Sequence, residues 1–264
     1  MKVIGIVLVK NEDRFIERVV RNIVQFCDKI IILDNKSKDN TFEILTRLAA
    51  EFCHIELQRI RDVDCSHGFL LPYVNGDYWI FAVDGDEIYD PGGLKLFKER
   101  LKKGNYDRWW VIFGNVLNCT EINEKKGYAK GFLAPPSRSM TKLYNFSIIE
   151  SWKNPRGERL KGGTICFKNG FNESLRYDLY KEIQFDDSYF RCLHACFTWR
   201  SSLDRKTSNC VSGRPNITES HGIRIREWML RILFGRQPVS KWKLERYARG
   251  PLVFKDVTPF FPNE

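Results

Sequence analysis

The chain has 264 residues, 43% hydrophobic and 29% charged, with a formal net charge of +10. That apolar content supports a buried core and excludes a disordered or collagen-like chain, and the length suits one large domain. The positive excess gathers late: from Ala195 onward 13 Lys/Arg face 6 Asp/Glu, which points to a polyanionic or membrane-surface partner, or to a solvated basic face.

The eight cysteines show no CxxC spacing, and Cys192 and Cys196 are too isolated for a zinc site. Reduced thiols in a cytoplasmic protein are therefore expected. Met1-Lys2-Val3 leads directly into a strand-length apolar run without leader features, so the five Asn-x-Ser/Thr sequences (Asn35, Asn118, Asn145, Asn172, Asn216) read as coincidental. No segment approaches the ~20 apolar residues of a membrane span.

The first half alternates strand and helix. "VIGIVLV" (3–9) is a continuous β-branched run, as in a strand covered on both faces. In "RFIERVVRNIVQF", Phe15, Ile16, Val19, Val20, Ile23 and Val24 form one helical stripe. "KIIIL" (29–33) is a second buried strand. A helix follows, with Asn40 and Glu43 spaced as a capping box. "IELQRI" (55–60) and "DYWIFAV" (77–83) are the third and fourth strands. Asp90 then caps a helix with Pro91 in first position and Gly104 at its end. This succession predicts an open, mostly parallel α/β sheet. Later, "RWWVIFGNVLN" reads as one long strand, residues 119–163 as loop-like, and "GGTICFK" (162–168) as a strand. From about 171 the pattern is helix and loop, ending in the basic amphipathic "IRIREWMLRILFGR". The expected organisation is 1–105, 106–222 and 223–264, the first two being halves of one domain.

Ligands of an open parallel sheet bind beyond the carboxyl ends of its strands. Three such ends are polar: Lys10-Asn11-Glu12 after the first strand, Asp34-Asn35 through Thr41 after the second, and Asp84-Gly85-Asp86-Glu87 after the fourth. Like charges this close repel by about 1 kcal/mol per pair in water and more near a protein surface. A hard divalent cation held by Asp84 and Asp86, with Gly85 permitting a tight turn, would relieve that repulsion and neutralise a diphosphate. Asp34 can accept from a nucleobase N–H, and Asn11 and Glu12 can hold a ribose or base edge. Each piece alone is also explained as a turn or helix cap; the three together, in order on strand ends, favour a ligand site.

"VKNEDRFIERVVRNIVQFCDKIIILDNKSKDNTFEIL" and "VDGDEIYDP" resemble the opening and the Asp-x-Asp element of family 2 glycosyltransferases. The resemblance covers roughly residues 1–105. It implies a GT-A (nucleotide-diphospho-sugar transferase) fold, with a mostly parallel central sheet, helices on both faces and an irregular acceptor-side half. It also implies a nucleotide-sugar donor, Mn²⁺ or Mg²⁺, and usually inversion at the anomeric carbon. By position, Asn11, Glu12 and Asp34 would face the nucleoside, Asp84 the ribose and metal, and Asp86 the metal; Lys10, Asn35 and Gly85 accompany them.

An inverting transferase needs a base for the acceptor hydroxyl. In the family this is a carboxylate downstream of a Gly-Gly strand, which "KGGTICFKNGFNE" resembles. "FDDSYF" follows, so Asp187 and Asp186 are the candidates; the usual Glu-Asp pair is Asp-Asp here, and Glu150, Glu158, Glu173 and Asp178 remain open. In "LHACFTWRSS", His194 is a candidate third metal ligand and Arg200 a candidate diphosphate clamp. The alternatives are a core histidine and a surface arginine. The tail suits either packing on the domain or an anionic membrane surface. The expected acceptor is a glycan or lipid-linked saccharide, with a nucleic-acid or protein acceptor as the alternative; the nucleic acid lacks a recognised motif, and a dinucleotide oxidoreductase lacks GxGxxG. An Asp-x-Asp phosphatase is the rival enzyme, disfavoured by Glu87 and the midchain position, and a non-catalytic binding module is a third reading.

Overall fold

The computed structural model describes residues 1–133, 141–160, 162–204 and 241–262. Its main sheet has seven strands: β1 (Lys2–Val9), β2 (Lys29–Asp34), β3 (Ile55–Arg59), β4 (Tyr78–Asp84), β6 (Val111–Phe113), β9 (Lys142–Asn145) and β12 (Arg176–Asp178). They lie in the order β12-β6-β9-β4-β1-β2-β3. All run one way except β9, which is antiparallel to both β4 and β6. A second sheet places β14 (Leu252–Asp256), β8 (Tyr128–Phe132), β7 (Asn115–Asn123), β13 (Arg191–His194) and β5 (Glu87–Tyr89) side by side. A hairpin of β10 (Ile149–Lys153) and β11 (Thr164–Phe167) stands apart.

β1 is buried on both faces, which is why its apolar run does not alternate. Its odd-numbered side chains Val3, Val7 and Val9 join one core with helices α1 (Ile16–Ile23), α2 (Thr41–Glu51) and α3 (Pro91–Lys102). Its even-numbered Ile4, Ile6 and Leu8 join the other. Coverage is unequal: the three long helices pack on the first face, whereas 3-10 turns at Val63–Phe69 and Leu71–Tyr73 and the β10–β11 hairpin close the second. Asp90 caps α3 by accepting from the Gly93 N–H at 3.0 Å, with Pro91 first and Gly104 left-handed beyond the end, as expected. The capping box of α2 does not form; the Asn40 side chain makes no cap bond, and Asp39 accepts from the Thr41 N–H instead.

The single strand expected over "RWWVIFGNVLN" is divided at Gly114. β6 belongs to the large sheet and β7 to the second. At the crossing, the Gly114 N–H donates to Thr141 O and the Asn115 N–H to Phe190 O. A Cβ on Gly114 would stand 2.2 Å from Phe190 O, so only glycine fits. Gly114→Ala is therefore expected to destabilise by about 1–3 kcal/mol, as overpacking does, measured as a lower urea midpoint with unchanged m-value.

The stretch 119–163 also holds more order than its composition predicted. Asn118–Asn123 and Tyr128–Phe132 pair as a hairpin, and β9 and β10 lie beyond it. Residues 171–204 contribute β12 and β13 rather than helix and loop alone. In the tail, Leu252–Asp256 is a strand paired to β8; the amphipathic stretch 223–236 lies outside the described residues. All seven described cysteines are free, and among the described residues no helix is long and apolar enough to cross a membrane.

Candidate active site

The register brings the three polar tips together. Val9 pairs with Asp34 on one side of β1, and Leu8 with Asp84 on the other. The first two tips lock onto each other through short bonds. The Asn11 N–H donates to Ser37 Oγ at 2.8 Å, Lys38 N–H to Asn11 Oδ1 at 2.6 Å, and Glu12 N–H to Thr41 Oγ1 at 2.7 Å. Asn11 has φ +52°, in the left-handed region where asparagine is tolerated. Lys10 precedes it at the end of β1, and the Asn35 N–H donates to Val9 O. Asp34 is fully buried; it accepts from the Ser37 N–H and from Arg59 Nε at 3.1 Å. The Arg59 guanidinium in turn lies 4.0 Å from the centre of the Phe42 ring.

At the third tip, the Gly85 N–H donates to Leu8 O, and a Cβ there would meet Val9 Cγ2 at 2.8 Å. The turn therefore lies flat against β1. The three carboxylates that follow are compensated separately. Asp84 Oδ1 receives Arg159 Nη2 at 2.6 Å. Asp86, 2% exposed, receives Arg200 Nη1 at 2.6 Å through Oδ2. Glu87 is fully buried and accepts from the Asp84 N–H at 3.0 Å and the Tyr89 hydroxyl at 3.3 Å. Its burial, followed by the nearby Asp84 charge, pushes its pKa well above the usual carboxylate range.

Arg200 bridges Asp86 and Glu12, donating from Nη1 to Glu12 Oε1 at 3.1 Å. Burial works against its charge, but Glu12 and Asp86 outweigh it and keep the guanidinium protonated. Its Nε is buried and has no hydrogen-bond partner among the described residues. Residues 200–204 are tied over the first two tips: the Arg14 N–H donates to Arg200 O, Ser201 Oγ to Asp39, and Ser202 Oγ to Asp13.

His194 ends β13, opposite Glu87 on β5. Its Nδ1 lies 2.9 Å from Asn118 Oδ1, an acceptor, which assigns the proton to Nδ1. Nε2 faces Asp86 Oδ2, 3.6 Å away. An imidazole lone pair facing a carboxylate oxygen is the donor set of a divalent cation, and an Nδ1–H held by a neighbour is how metal-binding histidines are oriented. Asp86 and His194 are thus of the donor types that would suit a divalent cation. Asp84 does not complete the set: among the described residues no group of three or more His, Cys, Asp or Glu is gathered to hold a metal.

Asp186 and Asp187 are not brought to this cluster. Asp186 pairs with Lys255 on β14 at 2.5 Å, and its carbonyl accepts from Arg191; the Asp187 N–H donates to Gln184 O. Of the four open alternatives, Glu158 stands at the rim, bonded to Arg159. Asp178 pairs with Lys181 on the outermost strand, and Glu150 and Glu173 are exposed. Sequence reading missed Arg159, Lys142 and Asn118. Lys142 is buried on β9 beside Ala82; burial, and then Arg159, pushes its pKa down to about 8. A lysine opening a strand that pairs with the Asp-x-Asp strand was the one available signal.

A mostly parallel sheet with its acidic turn at the end of β4 is the frame of a GT-A nucleotide-sugar transferase. Residues 6–184 match the family described as Glycosyl transferase family 2, and the chain belongs to that family. An uncharacterized glycosyltransferase of Mycoplasma genitalium is 24% identical over 123 residues, 43% of this chain and 41% of that protein. The chain thus spans less than half of that relative. A mannosyltransferase from Pyrobaculum calidifontis, solved with GDP-Man and Mn²⁺, is 18% identical over 43% of this chain and 35% of its own, with a TM-score of 0.35. Glucosyl-3-phosphoglycerate synthase from Mycobacterium tuberculosis, solved with Mn²⁺, UDP and glucosyl-3-phosphoglycerate, is 17% identical over 59% and 61%, with a TM-score of 0.37.

Proposed function

We propose that the chain moves a sugar, with inversion, from a nucleoside-diphosphate donor to a hydroxyl acceptor. The observation that carries this reading is Arg200: a buried, protonated guanidinium at the meeting point of three strand tips, anchored by Asp86 and Glu12, with its Nε unmatched. A planar fork with Nη1 anchored and Nε unmatched among the described residues suits an oxyanion of a diphosphate. Lys10, Asn11, Glu12, Asp34 and Asn35 line the nucleoside side, and Asp84 and Gly85 the ribose side. Asp86 and His194 hold the cation, Mn²⁺ or Mg²⁺, which when bound supplies positive charge to the departing diphosphate. The buried Arg200 supplies a second, permanent charge there, in surroundings where electrostatic stabilisation is stronger than in water.

The test is a scan of UDP-, GDP- and dTDP-sugars for hydrolysis and for transfer to hydroxyl acceptors, with Mn²⁺, with Mg²⁺ and with excess chelator. Turnover of at least one sugar nucleotide is expected, lost in chelator and restored by added cation. Full turnover in chelator would remove the cation from the reading. Phosphate release from simple monoesters, with none from sugar nucleotides, would replace the reading by a phosphatase.

A further inference from the structure

The outer edge of the large sheet carries a cavity that the cluster at the strand tips does not use. β12 is the last strand there, three places from β4 and about 14 Å from it at ordinary strand spacing. The turn after α3 stands beside β12. Gly104 begins that turn in the left-handed region at φ +73°, and the Trp109 N–H donates to Tyr106 O at 2.9 Å. The Trp110 N–H then donates to Leu175 O at 2.7 Å, and the strands continue with Arg176 opposite Val111 and Tyr177 opposite Ile112. This register brings the Trp109 and Tyr177 rings together, 5.5 Å between centres and 26° from parallel. A cavity of about 440 Å³ opens beside them, lined in part by Arg108, Trp109, Arg176, Tyr177, Asp178 and Glu182. That volume falls in the range of about 300–1,000 Å³ usual for small-molecule pockets.

Two of the lining guanidinium groups are held by aromatic rings rather than by carboxylates. Arg108 lies 4.5 Å from the centre of the Trp109 ring, and Arg176 lies 4.7 Å from the centre of the Phe113 ring. Among the described residues neither takes part in an ion pair. The carboxylates of the lining are engaged elsewhere: Lys181 Nζ donates to Asp178 Oδ2 at 2.7 Å, and the Tyr177 hydroxyl to Glu182 Oε2 at 2.5 Å. A ring against its face fixes the plane of a guanidinium and leaves the N–H edge for an oxyanion, which it grips through two parallel hydrogen bonds. The engaged carboxylates keep lone pairs for hydroxyl donors. The same carboxylates repel the successive phosphates of a nucleic acid strand.

We propose that this cavity binds a small saccharide bearing one oxyanion group, a phosphate or a carboxylate. Arg108 and Arg176 take the oxyanion, and Asp178 and Glu182 accept from the sugar hydroxyls. Such binding is independent of the donor reading above, since no residue of the strand tips takes part.

Calorimetric titration of the full chain with glucose 6-phosphate, glucuronate, glucose and inorganic phosphate provides the test. At least one of the two anionic sugars is expected to bind with a Kd of about 1 mM or lower, and about tenfold tighter than glucose or inorganic phosphate. The tighter of the two identifies the oxyanion. Arg108→Gln and Arg176→Gln should each weaken that binding by about tenfold, while saturating UDP with Mn²⁺ leaves it unchanged. Arg108 is exposed, so Arg108→Gln keeps the test open should Arg176→Gln not fold. Failure of both anionic sugars to bind at about 10 mM overturns the proposal. So does binding that stays within about twofold of wild type in the folded variants, equal affinity for inorganic phosphate, or displacement by UDP. Tighter binding of a single-stranded oligonucleotide, falling steeply with salt, would replace the saccharide by a nucleic acid.

Discussion

Asp86→Asn is expected to lower sugar transfer by about 10²–10³-fold or more while leaving the protein folded. The activity estimate follows from losing preorganised charge stabilisation at the leaving group. Asparagine has the shape of aspartate, so the Ala195 N–H still finds the residue 86 carbonyl. What disappears is one of the two anionic partners of Arg200 Nη1, and with it the proposed cation ligand. Stability is spared for an electrostatic reason. Arg200 keeps Glu12 as an anionic partner when the Asp86 charge is removed, so the buried guanidinium is not stranded. A melting temperature within a few degrees of wild type, beside activity near background, is the expected pair of results. Activity within threefold of wild type would remove Asp86 from the site.

The largest expected effect on stability lies at a position with no part in the chemistry. Arg191 opens β13, and its Nε and Nη2 both bind Asp90 Oδ2, at 3.0 and 2.8 Å. Its Nη1 takes the carbonyls of Phe185 and Asp186, and the guanidinium lies 5.2 Å from the centre of the Phe260 ring. Asp90 is buried and is also the N-cap of α3. One side chain thus joins β13, the start of α3 and the C-terminal turn directly behind the Asp-x-Asp loop. Arg191→Ala strands a buried carboxylate and two carbonyls, and breaking a buried pair in this way costs about 3–5 kcal/mol. Chemical denaturation should show that loss, with a fall in melting temperature on the order of 10 °C. Asp90→Asn in the same background should recover part of it, because the stranded charge is then gone. A loss below about 1 kcal/mol would mean that the pair is not structural.

The acidic turn itself was legible as a problem before it was legible as a solution. Three carboxylates at the end of an apolar strand demand compensation, and a single shared cation is the economical answer from sequence. The fold divides the task instead. Arg159 takes Asp84, Arg200 takes Asp86, and burial pushes the pKa of Glu87 up. Neither arginine is near the turn in sequence; Arg159 is 75 residues away and Arg200 is 114 from Asp86. No local pattern can announce such partners, because an ion pair needs only proximity in space and imposes no period along the chain.

The sequence by itself determined the parallel frame and where its polar strand tips gather. Continuous apolar runs require burial on both faces, helical stripes supply the cover, and polar tips then fall at the carboxyl ends, as Asn11, Asp34 and Asp84 do here. It likewise set the start of α3, since Asp90 and Pro91 act within one turn of chain. Only the tertiary structure decided where "RWWVIFGNVLN" breaks, because the obstruction at Gly114 is the backbone of Phe190, 76 residues on. It also decided that His194 faces Asp86 while Asp186 turns to Lys255. Local elements follow from short-range sterics and periodicity, whereas charge pairing and close backbone approach depend on contacts between distant segments that exist only once the chain has folded.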